Sequence, residues 1–115
     1  MKKVNKEGKI ENVTKEEIME KFKDFPLYSQ DKPMEQVQVV SRFFIPNSQM
    51  VWLITEASEE EDGTIMMFGW CRITDGELGY VTLNEMMEIG LILLDEKTPL
   101  ETLDVMIKKE GGVVY

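Results

Sequence analysis

The chain has 115 residues, the size of one domain, and its apolar share of 43% is ordinary for a globular protein. The formal net charge is −9, and residues 25–115 carry sixteen acidic against six basic side chains. Because nucleic-acid binding requires Lys and Arg to neutralise phosphates, this acidity disfavours direct contact with DNA or RNA and favours a protein partner, including a basic nucleic-acid-binding protein.

Residues 1–13 are polar and rich in lysine, so the sequence predicts a flexible segment before a single domain that spans residues 14–115. The start is basic, but no apolar segment follows it, and no stretch of the chain approaches the about 18 apolar residues of a membrane span. A single cysteine, Cys71, cannot form an internal disulfide. We therefore expect a cytoplasmic protein without a membrane segment.

The first predicted element is a helix over residues 15–24. Thr14 and Glu17 have the spacing of a capping box, in which each side chain accepts a hydrogen bond from the other residue's amide. Ile18 and Phe22 follow on one helical face. The pattern predicts an amphipathic helix that packs this face on the rest of the fold.

Four strands are predicted after a connector that lies between two prolines. Their residues are rich in β-branched, aromatic and methionine side chains, and their ranges are 36–44, 50–57, 64–73 and 78–83. Turn-forming residues separate them, including Asp-Gly pairs at 62–63 and 75–76. Because such short links join neighbouring antiparallel strands, the sequence predicts a meander.

The predicted sheet is apolar on both faces. In the second strand Val51 and Leu53 point to one face, while Trp52 and Ile54 point to the other. Such a sheet has to be covered on both faces or has to present one face to a partner.

The last part of the chain predicts two helices. Residues 82–90 predict a short helix, and residues 91–97 fit either a fifth strand or a loop. Thr98 as N-cap and Pro99 as first helical residue predict a final helix, which the two glycines at 111–112 end. The predicted fold class is α+β, with an antiparallel four- to five-stranded β-meander and with N-terminal and C-terminal helices packed on the sheet.

Four segments occur in the order and spacing of a bacterial family catalogued as domain of unknown function 2958. They are PLYSQ at 26–30, RFFIPNSQ at 42–49, MFGW at 67–70 and ELGYVTLNEM at 77–86. The chain resembles this family over about residues 25–103, with the first helix outside the match. The resemblance implies a small protein of the kind that plasmids, phages and conjugative elements carry, without an established enzymatic activity.

The composition removes several chemistries. The chain contains no histidine, which excludes Ser-His-Asp and Cys-His nucleophilic systems and disfavours most zinc sites. Glycine-rich nucleotide motifs are absent, and the acidic run at 59–62 lacks the ligand spacing of a calcium loop. We expect no catalytic residue set, no metal and no cofactor, and we expect Cys71 to be a structural thiol.

Two groups of side chains point to a binding surface. The acidic run is most simply a solvated hairpin tip, but such a run also imitates a phosphate backbone to a basic partner. The aromatic side chains are mainly core-forming, although Trp, Tyr and Arg also anchor interfaces. The candidate binding residues are Tyr28, Arg42, Trp52, Glu56, Glu59, Glu60, Glu61, Asp62, Trp70, Glu77 and Tyr80.

These observations support two functions from different classes. The leading function is a non-catalytic interaction module, encoded by a phage or mobile element, that binds a host or element protein as an inhibitor or nucleic-acid mimic. The alternative is a small-molecule-binding protein or weak enzyme at the strand ends, built around Arg42, Glu56, Glu77 and Tyr80. The alternative requires these four side chains to converge on one pocket. The sequence does not distinguish a monomer from a homodimer.

Overall fold

The computed structural model describes residues 1–113, which form seven strands and three α-helices. The strands are β1 Lys2–Val4, β2 Ile10–Asn12, β3 Ser41–Phe44, β4 Val51–Glu59, β5 Ile65–Arg72, β6 Gly76–Thr82 and β7 Leu93–Asp95. The helices are α1 Lys15–Lys21, α2 Leu83–Ile89 and α3 Leu103–Lys109, with a 3₁₀ turn at Met34–Gln36. All seven strands lie in one sheet, in the order β2-β1-β7-β3-β4-β5-β6.

The predicted meander forms the larger part of this sheet, since β3, β4, β5 and β6 pair antiparallel with their neighbours. The α+β class is confirmed, but the sheet has more strands than predicted and is not wholly antiparallel. The strand β7 pairs antiparallel with β3, and β1 runs parallel to β7. The additional strands β1 and β2 have three residues each, too few for a pattern of alternating side chains to reveal them in the sequence.

The sequence predicts a flexible amino-terminal segment. In the structure this segment forms the hairpin β1–β2. Lys2 lies opposite Leu93 in the parallel pair, and the backbone oxygen of Val4 accepts a hydrogen bond from the amide of Glu96 at 2.9 Å. Pairing with a distant strand gives residues 1–13 their regular structure, because backbone hydrogen bonds do not require apolar side chains.

The helix α1 begins as predicted. The hydroxyl of Thr14 accepts a hydrogen bond from the amide of Glu17 at 3.1 Å, and the side chains of Ile18 and Phe22 are buried. The helix ends at Lys21, three residues before the predicted end.

The prediction for α2 is also confirmed. Thr82 and Glu85 form a reciprocal capping box, and Gly90 follows the helix. The segment that fits either a strand or a loop in the sequence contains β7. None of the helices within residues 1–113 is long and apolar enough to cross a membrane.

The final helix begins later than predicted. Thr98 does not cap it, because the Thr98 hydroxyl donates to Asp95 Oδ2 at 2.5 Å and the Thr98 amide donates to Asp95 Oδ1 at 3.0 Å. The following residues run beside the segment that precedes β3, where the amide of Val39 donates to the backbone oxygen of Glu101. Thr102 therefore takes the N-cap position of α3. A contact with Asp95, three residues earlier in the chain, uses the hydroxyl that the sequence prediction assigns to the cap.

Both apolar faces of the sheet are covered. The helices α1 and α2 pack on one face around Trp52, Ile54 and Met67. The helix α3 and the 3₁₀ turn pack on the other face around Leu53 and Trp70. The apolar residues on the two faces of the sheet therefore form two halves of the core. Complete burial of one large apolar side chain contributes about 1.5–3 kcal/mol, so both halves stabilise the fold.

Candidate functional site

Two of the candidate binding residues belong to the core. The side chain of Trp52 is fully buried on the α1 and α2 face, and Trp70 is 4% exposed on the α3 face. The indole nitrogen of Trp52 has no hydrogen-bond partner within residues 1–113. Neither indole is placed to contact a partner protein.

Arg42 is also engaged inside the protein. Its Nη1 donates to Asp95 Oδ2 at 2.8 Å, and its Nε donates to Glu110 Oε1 at 2.7 Å. Its guanidinium lies over the ring of Phe44, 5.2 Å from the centroid. Two carboxylates hold the guanidinium between β3, β7 and the end of α3. Arg42 therefore links these elements, and its guanidinium is bound by the protein's own carboxylates.

Glu56 is a buried carboxylate that organises the connector before β3. It is 5% exposed and accepts hydrogen bonds from the amides of Tyr28 at 2.7 Å and Gln30 at 2.9 Å. The side chain of Gln30 continues this network, because its amide group donates to the backbone oxygens of Gln38 and Thr55. A buried carboxylate is stable only with such donors. Glu56 thus fixes the connector on β4.

The exposed surface above Glu56 carries a tyrosine patch, which consists of Tyr28, Phe68, Leu78 and Tyr80. Tyr28 is 73% exposed and Tyr80 is 55% exposed, with their ring centroids 6.5 Å apart. The Phe68 ring lies 4.9 Å from that of Tyr80. Because the amide of Tyr28 is bound to Glu56, the buried carboxylate positions an exposed aromatic ring.

A cavity of about 300 Å³ lies beside the tyrosine patch. Tyr28, Glu56 and Tyr80 line it together with Met34 and Leu103. These three are the candidate binding residues that the fold brings together here.

The four residues of the alternative function do not share this cavity, because Arg42 and Glu77 are not part of its wall. Glu77 lies opposite Cys71 in the β5–β6 ladder, whereas Tyr80 lies opposite Phe68, so alternation places Glu77 and Tyr80 on different faces of the sheet.

The acidic run forms the turn between β4 and β5. Lys15 of α1 pairs with Glu59 at 2.9 Å, and the same amine donates to the backbone oxygen of Gly63 at 2.6 Å. Glu60, Glu61 and Asp62 are exposed. These three exposed acids, Glu60, Glu61 and Asp62, form an acidic strip. The strip is shorter than the sequence suggests, because Glu59 is paired with Lys15 and the preceding acid, Glu56, is buried.

Cys71 is half-buried opposite the exposed Glu77. Burial raises the pKa of the Cys71 thiol to about 12, and the Glu77 carboxylate contributes in the same direction. The thiol therefore remains protonated near neutral pH.

Within residues 1–113, no three His, Cys, Asp or Glu side chains are grouped so that they could hold a metal ion.

Sequence reasoning missed a second cavity, of about 650 Å³, whose wall includes Lys6, Lys21 and Lys97. No local signal indicates it, because residues 6 and 97 meet only through the pairing of β1 with β7.

The chain matches the family model described as "Protein of unknown function (DUF2958)" over residues 13–104. The matched region includes α1, which the resemblance of the four sequence segments had left outside. Comparisons with curated proteins and with solved structures gave no match.

Proposed function

The chain belongs to the DUF2958 family of proteins of unknown function, and we propose that it is a non-catalytic protein-interaction domain. The proposed binding surface is the tyrosine patch together with the adjoining edge of β6. The observation that supports this most is the exposure of two neighbouring tyrosines at a strand that ends the sheet. Its proposed ligand is an extended, basic segment of a partner protein.

The edge of β6 offers backbone hydrogen-bonding groups to such a segment. This strand spans Gly76–Thr82 and, within the described part of the chain, pairs only with β5. Soluble proteins often protect edge strands with Lys or Pro, and the sequence GELGYVT contains neither. An edge of this length accepts an added strand through main-chain hydrogen bonds, while neighbouring pockets select side chains.

The tyrosine patch is held in place by the fold. Tyr28 has φ = 73°, a left-handed conformation that is unfavourable for a bulky residue. The hydrogen bonds from its amide and from the amide of Gln30 to Glu56 stabilise this conformation. Exposed aromatic rings such as these are typical anchors of protein interfaces.

The charge of the chain favours a basic partner. Between Phe43 and Ile107 only Arg72 and Lys97 oppose thirteen acidic side chains. Opposite charge accelerates encounter and suppresses wrong partners. With the resemblance to proteins of mobile elements, this supports a host or element-encoded partner in the cytoplasm. Nucleic-acid mimicry is the narrower form of the proposal, in which the acidic strip enters a basic groove.

Peptide selection tests this proposal. A phage-displayed library of random peptides is selected on the immobilised chain, and the affinities of enriched peptides are measured by fluorescence anisotropy. We expect peptides with Lys or Arg beside apolar residues. The double variant Tyr28→Gly/Tyr80→Ser should bind them at least about tenfold more weakly, which corresponds to the loss of an interface anchor. Glycine tolerates the backbone conformation of residue 28, so this change removes the ring without strain.

The matched control is Leu91→Ser, because Leu91 is 71% exposed and lies outside the tyrosine patch. Its affinity for the selected peptides should equal that of the unmodified chain. Selection of no peptide, or equal binding to the double tyrosine variant, would show that this surface is not the binding site.

A further inference from the structure

The cavity of about 650 Å³ lies between α1, the start of β3 and the loop that follows β7. We propose that it binds a small amphipathic anion, in which a carboxylate or phosphate group is attached to an apolar body. This site shares no lining residue with the cavity at the tyrosine patch, so the inference is independent of the proposed interaction function.

Three lysines from different elements line the cavity, and the positive charge that no carboxylate within residues 1–113 matches belongs to two of them, Lys6 and Lys97. Lys6 lies in the β1–β2 turn, Lys21 ends α1, and Lys97 follows β7. Glu96 is paired with Lys21 at 2.5 Å and with Lys3 at 2.9 Å, so the negative charge of this carboxylate is fully matched.

Lys6 and Lys97 form no ion pair within residues 1–113. Asp95 is the other acid of the wall, and its carboxylate is bound by Arg42 and Thr98. The cavity therefore has a surplus of positive charge in a protein whose net charge is −9.

Ser41 adds a polar group to the same wall. Its side chain is 2% exposed, and its hydroxyl has no hydrogen-bond partner in the described part of the chain. A buried hydroxyl without a partner is unfavourable, because it has lost its hydrogen bonds to water. Neighbouring atoms cover this hydroxyl, so an anionic oxygen in the cavity would accept a hydrogen bond from it only after those neighbours shift aside.

The rest of the wall selects against a bare inorganic ion. Val40, Leu94 and Leu100 line the cavity and present aliphatic surface. The volume lies in the range of about 300–1,000 Å³ that small-molecule sites occupy. An inorganic ion would contact the lysines but would leave the aliphatic wall uncovered, which favours a ligand with an apolar body.

Titrations with four probes, followed by NMR of the backbone amides of the full chain, test this inference. The probes are hexanoate, hexyl phosphate, neutral 1-hexanol and inorganic phosphate. We expect at least one hexyl anion to shift the amides of Ser41 and Lys97 and to bind at least about tenfold more tightly than hexanol or inorganic phosphate. Comparison of hexanoate with hexyl phosphate decides which anionic group the site prefers.

Variants assign the binding to the named residues. Lys6→Gln/Lys97→Gln should weaken the better anion at least about tenfold, and Ser41→Ala should weaken it about fivefold. Because the Ser41 hydroxyl has no partner in the fold, Ser41→Ala should not lower the melting temperature. The matched control Lys9→Gln/Lys108→Gln removes the same charge from two exposed lysines outside the cavity.

The inference is overturned by any of three results. These are no saturable shift with either hexyl anion up to about 10 mM, equal binding of hexanol, or equal weakening by the control pair and the cavity pair of lysine variants.

Discussion

Glu56 shows how a single residue can connect the core with the proposed binding surface. Its sequence context, at the end of an apolar strand, suggests a solvated acid near a turn. The structure instead buries the carboxylate beneath Tyr28 and Gln30, whose amides both donate to it. The side chain therefore acts as a positioning group for the connector and, through it, for the tyrosine patch.

Replacing this carboxylate gives the first prediction. In Glu56→Gln an amide group replaces one carboxylate oxygen, so one of the two backbone donors faces another donor and loses its partner. We expect the free energy of unfolding to fall by about 2–3 kcal/mol, because a buried hydrogen bond to a charged group is lost. Urea denaturation measures this change. The exposed acid Glu61 provides the control, since Glu61→Gln should change stability by no more than about 0.5 kcal/mol. Equal effects of the two changes would contradict a structural role of Glu56.

A second prediction at this scale concerns Cys71. Its pKa is raised to about 12 by burial and by Glu77, and only the thiolate reacts rapidly with alkylating agents. At pH 8 the folded chain should react with iodoacetamide at least about 100-fold more slowly than the chain unfolded in urea, whose thiol has an ordinary pKa. Mass spectrometry of the alkylated fraction over time measures both rates. Similar rates would mean that the thiol is accessible and ionised in the folded protein.

At the scale of elements, the hairpin β1–β2 contributes more than its polar sequence suggests. It extends the sheet beyond β7 and brings Lys3 to 2.9 Å from Glu96. It also covers the edge of β7, which would otherwise be open to pairing with other chains.

Deletion of residues 1–12 tests this contribution. We expect a loss of about 2–4 kcal/mol of stability, since several sheet hydrogen bonds of about 1 kcal/mol each are removed. We also expect aggregation through the exposed β7 edge, visible by light scattering. Lys3→Gln removes only the ion pairs of Lys3 with Glu11, Glu17 and Glu96 and should cost no more than about 1 kcal/mol. A deletion variant as stable and as soluble as the full chain would show that the hairpin does not support the sheet.

At the scale of the whole molecule, acidic groups also determine how stability depends on pH. Hydrogen bonding to Lys21 is the main cause that lowers the pKa of Glu96. Burial opposes ionisation of Asp95, but hydrogen bonds from Thr98 and Lys97 and the charge of Arg42 together lower its pKa. The unfolded chain therefore binds more protons in acid than the folded chain does.

The sign of the pH effect follows from these directions. The stability that Asp95 and Glu96 contribute is present above their unfolded pKa values of about 4 and is lost as pH falls through the lower folded values. Urea denaturation should show a smaller difference between pH 7 and pH 3 for Asp95→Asn/Glu96→Gln than for the unmodified chain. The control Glu60→Gln/Glu61→Gln changes two exposed acids and should preserve the difference. An undiminished difference in the first variant would assign acid sensitivity to other groups.

The acidic strip gives a prediction about association. Changing Glu60, Glu61 and Asp62 to their amides should slow the association of basic selected peptides with little change in stability, because these side chains are exposed and Asn at position 62 keeps an oxygen that can accept from the Thr64 amide. The affinity of the unmodified chain should weaken as salt rises from about 0.05 to 0.5 M, and the triple variant should be less sensitive. Stopped-flow fluorescence measures both effects. Indifference to salt and to the triple change would leave the strip as a solvated turn.

Local sequence was sufficient for features in which all interacting groups lie within a few residues. The caps of α1 and α2 each involve residues three positions apart, and the predicted Asp-Gly pair at 62–63 lies inside the turn between β4 and β5, where Gly63 has φ = 88°. The second predicted pair does not act in this way, because Gly76 is already the first residue of β6. The two-sided burial of β4 and β5 follows from apolar residues at consecutive positions. These patterns together determined the α+β class, the order of the central strands and the need to cover both faces of the sheet.

Tertiary structure alone decided which distant groups meet. Whether β1 and β2 form depends on pairing with β7, and the paired residues Lys2 and Leu93 are 91 positions apart in the chain. The same pairing brings Lys6 to Lys97 and so forms the lysine-lined cavity. Arg42 and Glu56 could be called functional from residue type, but their partners come from segments that no local pattern links to them. Hydrogen bonds and ion pairs act over a few ångströms in space, and the sequence records proximity only along the chain.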